Sequence, residues 1–389
     1  NDTTTDPWIR TCGASGGWGY AISKGSEMQL GLWGWYLAKY LTATYNMPIC
    51  IINSAVGGTR IDQHQPNPAD HSSAGDGTYS IYANIYNRVA GGKLTHGIRA
   101  VLWHQGESDQ GSDGPTGGYG WESYQEYFVD MSAGWKTDFP NIRHYYIYQI
   151  WPNSCSMGNG HGDMLREVQR TLPRLYSNMD IMSTLGITPP GGCHYPLIGW
   201  AEFARLIQPL IERDFYGKAP TTSITAPDLK QAFYTSSAKD AIALEFDQPV
   251  VWTDSLAGQI YLDGSGGKVA SGTVAGNVLM LKLQAPSAAK KVSYLKEMAW
   301  SQDKLILGAN GIAALTFCDV GIAPSADAEA PRFSFEPTIE SLGQYETPEW
   351  FEDAKLGIYM HWGPMSIPGV ATTWYARWVY EQGCEGNKY

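Results

Sequence analysis

Three polar turns, each following or preceding an apolar run, hold the residues of this 389-residue chain with the most chemical reach. The first is the block AVLWHQGESD at residues 100–109. Its apolar half reads as the end of a buried strand, and His104, Gln105, Gly106, Glu107, Ser108 and Asp109 follow without transition. Polar groups gathered at the carboxyl end of a strand are what an open α/β sheet offers a ligand. An amide and carboxylates buried there are costly unless they have partners or a job. The second turn, NSAVGGTRID at 53–62, follows the apolar residues 49–52. Its paired glycines, Gly57 and Gly58, leave backbone N–H groups uncovered. The third, GGCHYPLIG at 191–199, sets His194 just before a helix.

These turns need elements to hold them, and the apolar periodicity supplies candidates. Residues 26–45 fit a helix with Met28, Leu30, Leu32, Trp35, Leu37 and Leu41 on a broad face. A strand is expected over 48–54, a short helix around 81–89 and a strand over 97–103. Further on come a helix over 123–139, a strand over 143–151, a helix over 163–175, a strand over 179–185 and a closing amphipathic helix over 197–215. Strand and helix alternate throughout, which predicts α/β architecture with a doubly wound parallel sheet.

From about residue 221 the pattern changes. Short alternating runs (241–246, 278–283, 292–295, 305–307, 313–317) are separated by Gly, Asp, Asn and Ser turns, as in an all-β sandwich. The expected division is 1–218 for the α/β domain, 219–324 for the β domain, 325–337 for a linker (SADAEAPR within it) and 338–389 for a segment of different character.

Composition bounds the function. The chain is 43% hydrophobic and 17% charged, and its length calls for more than one domain. A net charge of −11 argues against nucleic acid and anionic membrane surfaces as partners. No apolar run reaches membrane-spanning length. The 15 Trp, 24 Tyr and 44 Gly suit two readings, flat rings for stacking on sugars and rings that fill a β core. Six scattered cysteines lack C-x-x-C spacing, so no zinc site is expected; their pairing stays open. No signal peptide is visible, and the first residue is Asn1 rather than methionine, so an upstream segment is expected.

The GGT turn, the WHQGESD block and the late histidine block, in this order, resemble the SGNH/GDSL hydrolase superfamily, most closely its sialate O-acetylesterase-like branch, over roughly residues 8–215. The resemblance implies a flavodoxin-like three-layer fold and hydrolysis of acetyl esters on sugars by acyl transfer through a serine, without metal or organic cofactor. His194 would be the base that takes the serine proton and hands it to the leaving hydroxyl. Gly57 or Gly58 would donate a backbone N–H to the oxyanion, and Gln105 would be the other donor. Glu107 would brace these turns. The family's aspartate three residues before the histidine is Gly191 here, so a backbone carbonyl or Glu107 would have to orient the imidazole.

The family's nucleophile block, a strand followed by G-x-S-N, is not visible. It is expected upstream of Asn1; Ser15 in GASG is the candidate within the chain, with Ser54 and Ser108 as remainders. On the helix at 163–175, Arg166, Glu167 and Gln169 match a family segment and read either as a cleft frame or as a surface salt bridge.

The segment EWFEDAKLGIYMHWG (349–363), with TWYAR (373–377), resembles the start of an α-L-fucosidase barrel. His361 would then bind a sugar hydroxyl beside Trp374, while the paired carboxylates of retaining hydrolysis lie beyond this stretch. A (β/α)₈ barrel takes about 250 residues, so only its beginning fits. The expected partner is an acetylated oligo- or polysaccharide, with no protein partner, and the substrate class implies a periplasmic or extracellular setting. Two rival roles stay open: a parent protein acting chiefly as an α-L-fucosidase, and a noncatalytic glycan-binding module.

Overall fold

The computed structural model describes residues 5–13, 17–22, 29–111, 120–152, 161–191, 194–296 and 301–325. Residues Asn1–Ala328 make one compact unit, and Glu329–Tyr389 a second. The fucosidase-like stretch, with His361 and Trp374, lies outside the described residues, as does Ser15.

Strand β1 (Ile9–Cys12) pairs antiparallel with β2 (Trp18–Tyr20) and parallel with β3 (Ile49–Cys50). Helix α1 (Leu32–Tyr45) connects β2 to β3 and buries Trp35, Leu37, Ala38 and Leu41. It stops at Asn46, which takes the left-handed conformation (φ 51°) and caps Thr42 O. Only two residues of the strand expected over 48–54 are paired.

After α2 (Ser80–Gly91) come three parallel strands, β4 (Ala100–Trp103), β5 (His144–Gln149) and β6 (Met179–Ser183), in register Ala100 opposite His144 and Tyr145 opposite Met179. They are joined by α3 (Trp121–Asp138) and α4 (Gly162–Thr171), and α5 (Leu197–Tyr216) follows β6. The expected helix over 163–175 is α-helical only to Thr171. A 3₁₀ turn with Pro173 near its start completes it, since proline has no N–H for the α-helical bond. The parallel arrangement is as expected, but among the described residues its strands form two three-stranded sheets rather than one.

The β portion is built from β7 (Leu229–Tyr234), β8 (Ala241–Phe246), β9 (Val250–Val251), β10 (Ile260–Leu262), β11 (Val269–Ala275), β12 (Val278–Leu283), β13 (Lys291–Tyr294), β14 (Leu307–Gly308) and β15 (Phe317–Ala323). The strand order is β10-β13-β15-β7-β8-β12-β11, antiparallel except for the β15–β7 pair, with β9 and β14 as a separate ribbon. One seven-stranded sheet thus runs through a region where alternation suggested two facing sheets; alternating burial is common to both arrangements.

The two portions share one hydrophobic cluster, running from Leu37 and Tyr148 to Leu244 and Phe317. Polar contacts fix the seam. The Gln149 side chain, at the end of β5, donates to Thr316 O (2.9 Å) and accepts from Thr316 N (2.8 Å). Arg166, fully buried, donates to Thr316 Oγ1 (2.9 Å) and Leu295 O (3.0 Å). Arg166 is therefore neither a cleft residue nor half of a surface ion pair.

At the amino ends of β5 and β6, His144, Asp180 and Asp214 bring ligand atoms within 4.8 Å of one another. Arg213 bonds both carboxylates there, so the group is an internally paired polar network on the rim opposite the polar turns.

Candidate active site

The block after β4 folds as a tight 3₁₀ turn, Glu107–Asp109, entered through Gly106. Gly106 has φ 144°, and a Cβ there would lie 2.7 Å from Gln169 Nε2 and 3.3 Å from the side chains of Ile150 and Leu165. The position takes only glycine. Gln169 donates to Gln105 O (2.9 Å) while accepting from Ile150 N (2.9 Å), and Tyr124 also donates to Gln105 O (3.0 Å). Gln169 is thus a prop behind the turn.

Asp109 is the buried acid of this turn, 1% exposed. Both its oxygens accept from Ile61 N (3.2 and 3.1 Å), and Oδ2 accepts from Gln105 Nε2 (2.6 Å). Burial pushes its carboxyl up to about 7, against the pull of those bonds. The second Gln105 Nε2 hydrogen goes to Thr59 O (2.9 Å). Both N–H groups of the amide expected to serve the oxyanion are therefore engaged inside the protein, and Gln105 works as a strut. Its Oε1 is buried without a hydrogen-bond partner among the described residues.

Gln105 braces the diglycine turn. Thr59, which receives its bond, follows Gly57 and Gly58 directly; Thr59 Oγ1 donates to Val56 O (2.7 Å) and meets His64 Nε2 at 2.8 Å. Gly57 and Gly58 are exposed, with nothing within 4 Å of a Cβ built on either, and Gly58 sits at φ 74°. Ser54 is half-buried before this turn, and Ser108 half-buried in the 3₁₀ turn.

His194 stands exposed at the mouth, its N–H donating to Gly191 O (3.2 Å). Tyr195 anchors it: the buried ring donates from its hydroxyl to Thr184 O (2.7 Å) and packs edge-on against Trp151 and Trp200. A Cβ at Gly191 would lie 2.3 Å from Tyr195 Cα and 2.6 Å from His194 O. Glycine at the family's acid position is thus required by the closeness of this turn.

The His104 ring is within electrostatic reach of His194. Burial lowers the pKa of His104, Glu107 opposes it, and His194 adds to the lowering. Glu107 Oε1 sits 3.5 Å from His104 Nε2, and the His104 ring rests edge-on against Tyr148 and Phe203. Glu107 thus pairs with His104, and the bracing acceptor of backbone N–H is Asp109 instead. The sequence block QGESD contains both carboxylates, and only the 3₁₀ turn decides which one faces inward.

The rim so built lies in an α/β domain that is similar to carbohydrate esterases. Residues 19–181 match the family profile described as carbohydrate esterase, sialic acid-specific acetylesterase, and residues 322–389 match the α-L-fucosidase profile. Among solved structures, a carbohydrate acetylesterase from Xanthomonas citri superposes with a TM-score of 0.61 at 18% identity, over 80% of this chain and 73% of that one. That is a likeness of fold.

The fucosidase match is short but closer in sequence. Human plasma α-L-fucosidase is 44% identical over 55 residues, 14% of this chain and 11% of the relative. Mouse tissue α-L-fucosidase is 41% identical over 58 residues, 15% of this chain and 12% of the relative. The chain spans about a tenth of the length of these curated relatives. Both resemblances read from the sequence are there: the esterase-like first portion and the fucosidase-like end.

Proposed function

We propose that the first portion is a carbohydrate O-acetyl esterase that removes acetyl groups from glycans by acyl transfer. What supports this reading is the tie between two distant turns, Gly57-Gly58 through Thr59 to Gln105, with the His104 ring beside the second of them in electrostatic reach of His194 in the third. A serine oxygen attacks the acyl carbon while His194 takes its proton; the proton passes to the departing sugar oxygen, and water then releases acetate by the same route. Backbone N–H at Gly57 or Gly58 stabilises the oxyanion, with Gln105 holding that bend in place. Glu107 acts through His104 on the electrostatics of the mouth.

In this reading the parent protein is bifunctional, with an α-L-fucosidase module after residue 338, and works on polysaccharide in the periplasm or outside the cell. The test is p-nitrophenyl acetate and acetylated sialoglycan hydrolysis by a chain extended upstream of Asn1. His194→Ala is expected to lower the rate at least a thousandfold; equal rates with and without the imidazole would remove the esterase assignment from this rim.

Gly191 favours a second reading, a noncatalytic glycan-binding module, because the turn leaves no room for the acid that would orient His194. Glycan binding with unchanged affinity in His194→Ala, and no hydrolysis in the extended chain, would select it.

A further inference from the structure

The hydroxyl of Thr59 closes the diglycine bend. Its hydrogen goes to Val56 O, 2.7 Å away, across Gly57 and Gly58. A carbonyl only accepts, so this bond uses the hydroxyl's single hydrogen. The same oxygen lies 2.8 Å from Nε2 of His64, a distance at which one of the two atoms must donate. Thr59 has no second hydrogen, so the donor is His64 Nε2. Burial lowers the His64 pKa to about 4, against the opposite pull of Asp62, and the ring is therefore neutral at physiological pH. A neutral imidazole carries one ring N–H; the bonding around Thr59 puts it on Nε2 and leaves Nδ1 bare.

The ring itself is held in place. His64 ends the 3₁₀ turn Ile61–His64, whose first N–H is taken by Asp109. It is buried and meets Trp103 edge-on, with ring centres 5.2 Å apart. Trp103 Nε1 donates to the Tyr124 hydroxyl (3.1 Å), which donates to Gln105 O, while Gln105 Nε2 donates to Thr59 O. Thr59 is thus gripped twice, at its carbonyl by Gln105 and at its hydroxyl by His64. Gly57 and Gly58 have no side chains to fix their backbone, and Gly58 stands exposed at φ 74°. The order of the bend comes from its two grips. With the hydrogen on Nδ1 instead, Nε2 and Val56 O would compete for the one hydroxyl hydrogen, and the closing bond would weaken.

We infer that His64 is a positioning residue: its Nε2–H, given to Thr59, keeps the threonine hydroxyl aimed at Val56 O and so holds the Gly57-Gly58 peptide groups in one orientation. The nitrogen that faces the turn is a donor, so His64 takes no proton there and acts only through Thr59. The consequence for catalysis, that the held peptide groups present an N–H to an oxyanion, rests on the esterase reading. The hold itself does not.

Heteronuclear NMR on the chain with isotope-labelled histidine and glycine tests it. The His64 ring signal, identified by its loss in His64→Gln, should show the hydrogen on Nε2; a hydrogen on Nδ1 overturns the inference. His64→Phe keeps a flat ring beside Trp103 but has no donor. It should move and broaden the Gly57 and Gly58 amide signals, and Thr59→Val should do the same. His64→Gln, whose amide can donate, and Thr59→Ser should restore them. Unmoved glycine signals in Thr59→Val or in a folded His64→Phe overturn the inference; if His64→Phe does not fold, the ring signal of the parent and the two Thr59 variants decide. In the full-length protein His64→Phe should lower kcat for p-nitrophenyl acetate by about tenfold or more at constant KM, with recovery in His64→Gln. Full kcat in His64→Phe overturns the positioning role. Glycine signals that move as expected, in a parent that hydrolyses no ester, leave the hold in place and remove only the esterase reading.

Discussion

The carboxylate of Asp109 accepts the backbone N–H of Ile61, at 3.1 Å from Oδ2, and so ties the turn after β4 to the one after β3 across the rim. With its carboxyl at about 7, against an ordinary value of 3.8, this acid is half-ionised near neutrality. Between pH 4 and 7 the folded state therefore binds the proton that the unfolded chain has released. Stability attributable to Asp109 falls as pH rises across that window, by at most about 1.4 kcal/mol per unit, and is flat outside it. Asp109→Asn keeps an acceptor for Ile61 but cannot titrate. Urea midpoints at pH 5 and pH 8 should converge in the variant relative to the parent; an unchanged difference between the two pH values would refute this role.

Gly106→Ala should destabilise the fold by about 2–4 kcal/mol, because its Cβ meets Gln169 Nε2 at 2.7 Å while the backbone holds φ 144°. Gln169 cannot retreat without dropping its bonds to Ile150 N and Gln105 O. Thermal unfolding followed by circular dichroism measures the effect. A further Gln169→Ala change should recover part of the loss by making room, so strict additivity of the two would argue against this clash.

Much of this was legible in the residues, for physical reasons that differ by element. The α/β alternation showed because helices over 121–138 and 197–216 bury faces with helical spacing, as Tyr124, Phe128, Met131 and Trp135 do. The run at 48–54 looked like a full strand because its side chains are apolar; that only Ile49 and Cys50 pair depends on a neighbour, which no local pattern records. In the β portion, 241–246 and 278–283 fell where alternation put them, yet the run at 313–317 begins a strand only at its last residue, Phe317. Arg166, Glu167 and Gln169 read as a cleft frame or a surface salt bridge on a polar helix. The burial of Arg166 comes from residues about 150 positions later in the chain, as the Arg166–Thr316 bond shows, and Gln169 is held against the turn at Gln105 and Ile150.

Restoring the family's acid by Gly191→Asp should damage the protein rather than improve it. The added Cβ would fall 2.3 Å from Tyr195 Cα, a backbone contact with no flexible end to yield. The turn must open, and the Tyr195 hydroxyl loses its bond to Thr184 O. A loss of about 2 kcal/mol or more in urea unfolding is expected, with no gain in ester hydrolysis by an upstream-extended chain. Full stability together with faster hydrolysis would show that the turn accepts a carboxylate and that the glycine is incidental.

Arg166 offers the sharpest test of how the α/β and β portions are joined. Its guanidinium, fully buried, bonds Thr316 Oγ1 and Leu295 O, both in the β portion. Arg166→Met keeps the length of the stem and removes the donors, leaving those two oxygens without these bonds in the interior, at about 1–3 kcal/mol each. A fall of about 3 kcal/mol or more is expected in the midpoint-derived stability. The loss should also separate the transitions: tryptophan fluorescence, dominated by the α/β portion, and exchange protection of β13 and β15 should cease to coincide. If both probes shift together and only slightly, the hydrophobic cluster shared by Tyr148 and Phe317 carries the seam, and the buried arginine is dispensable.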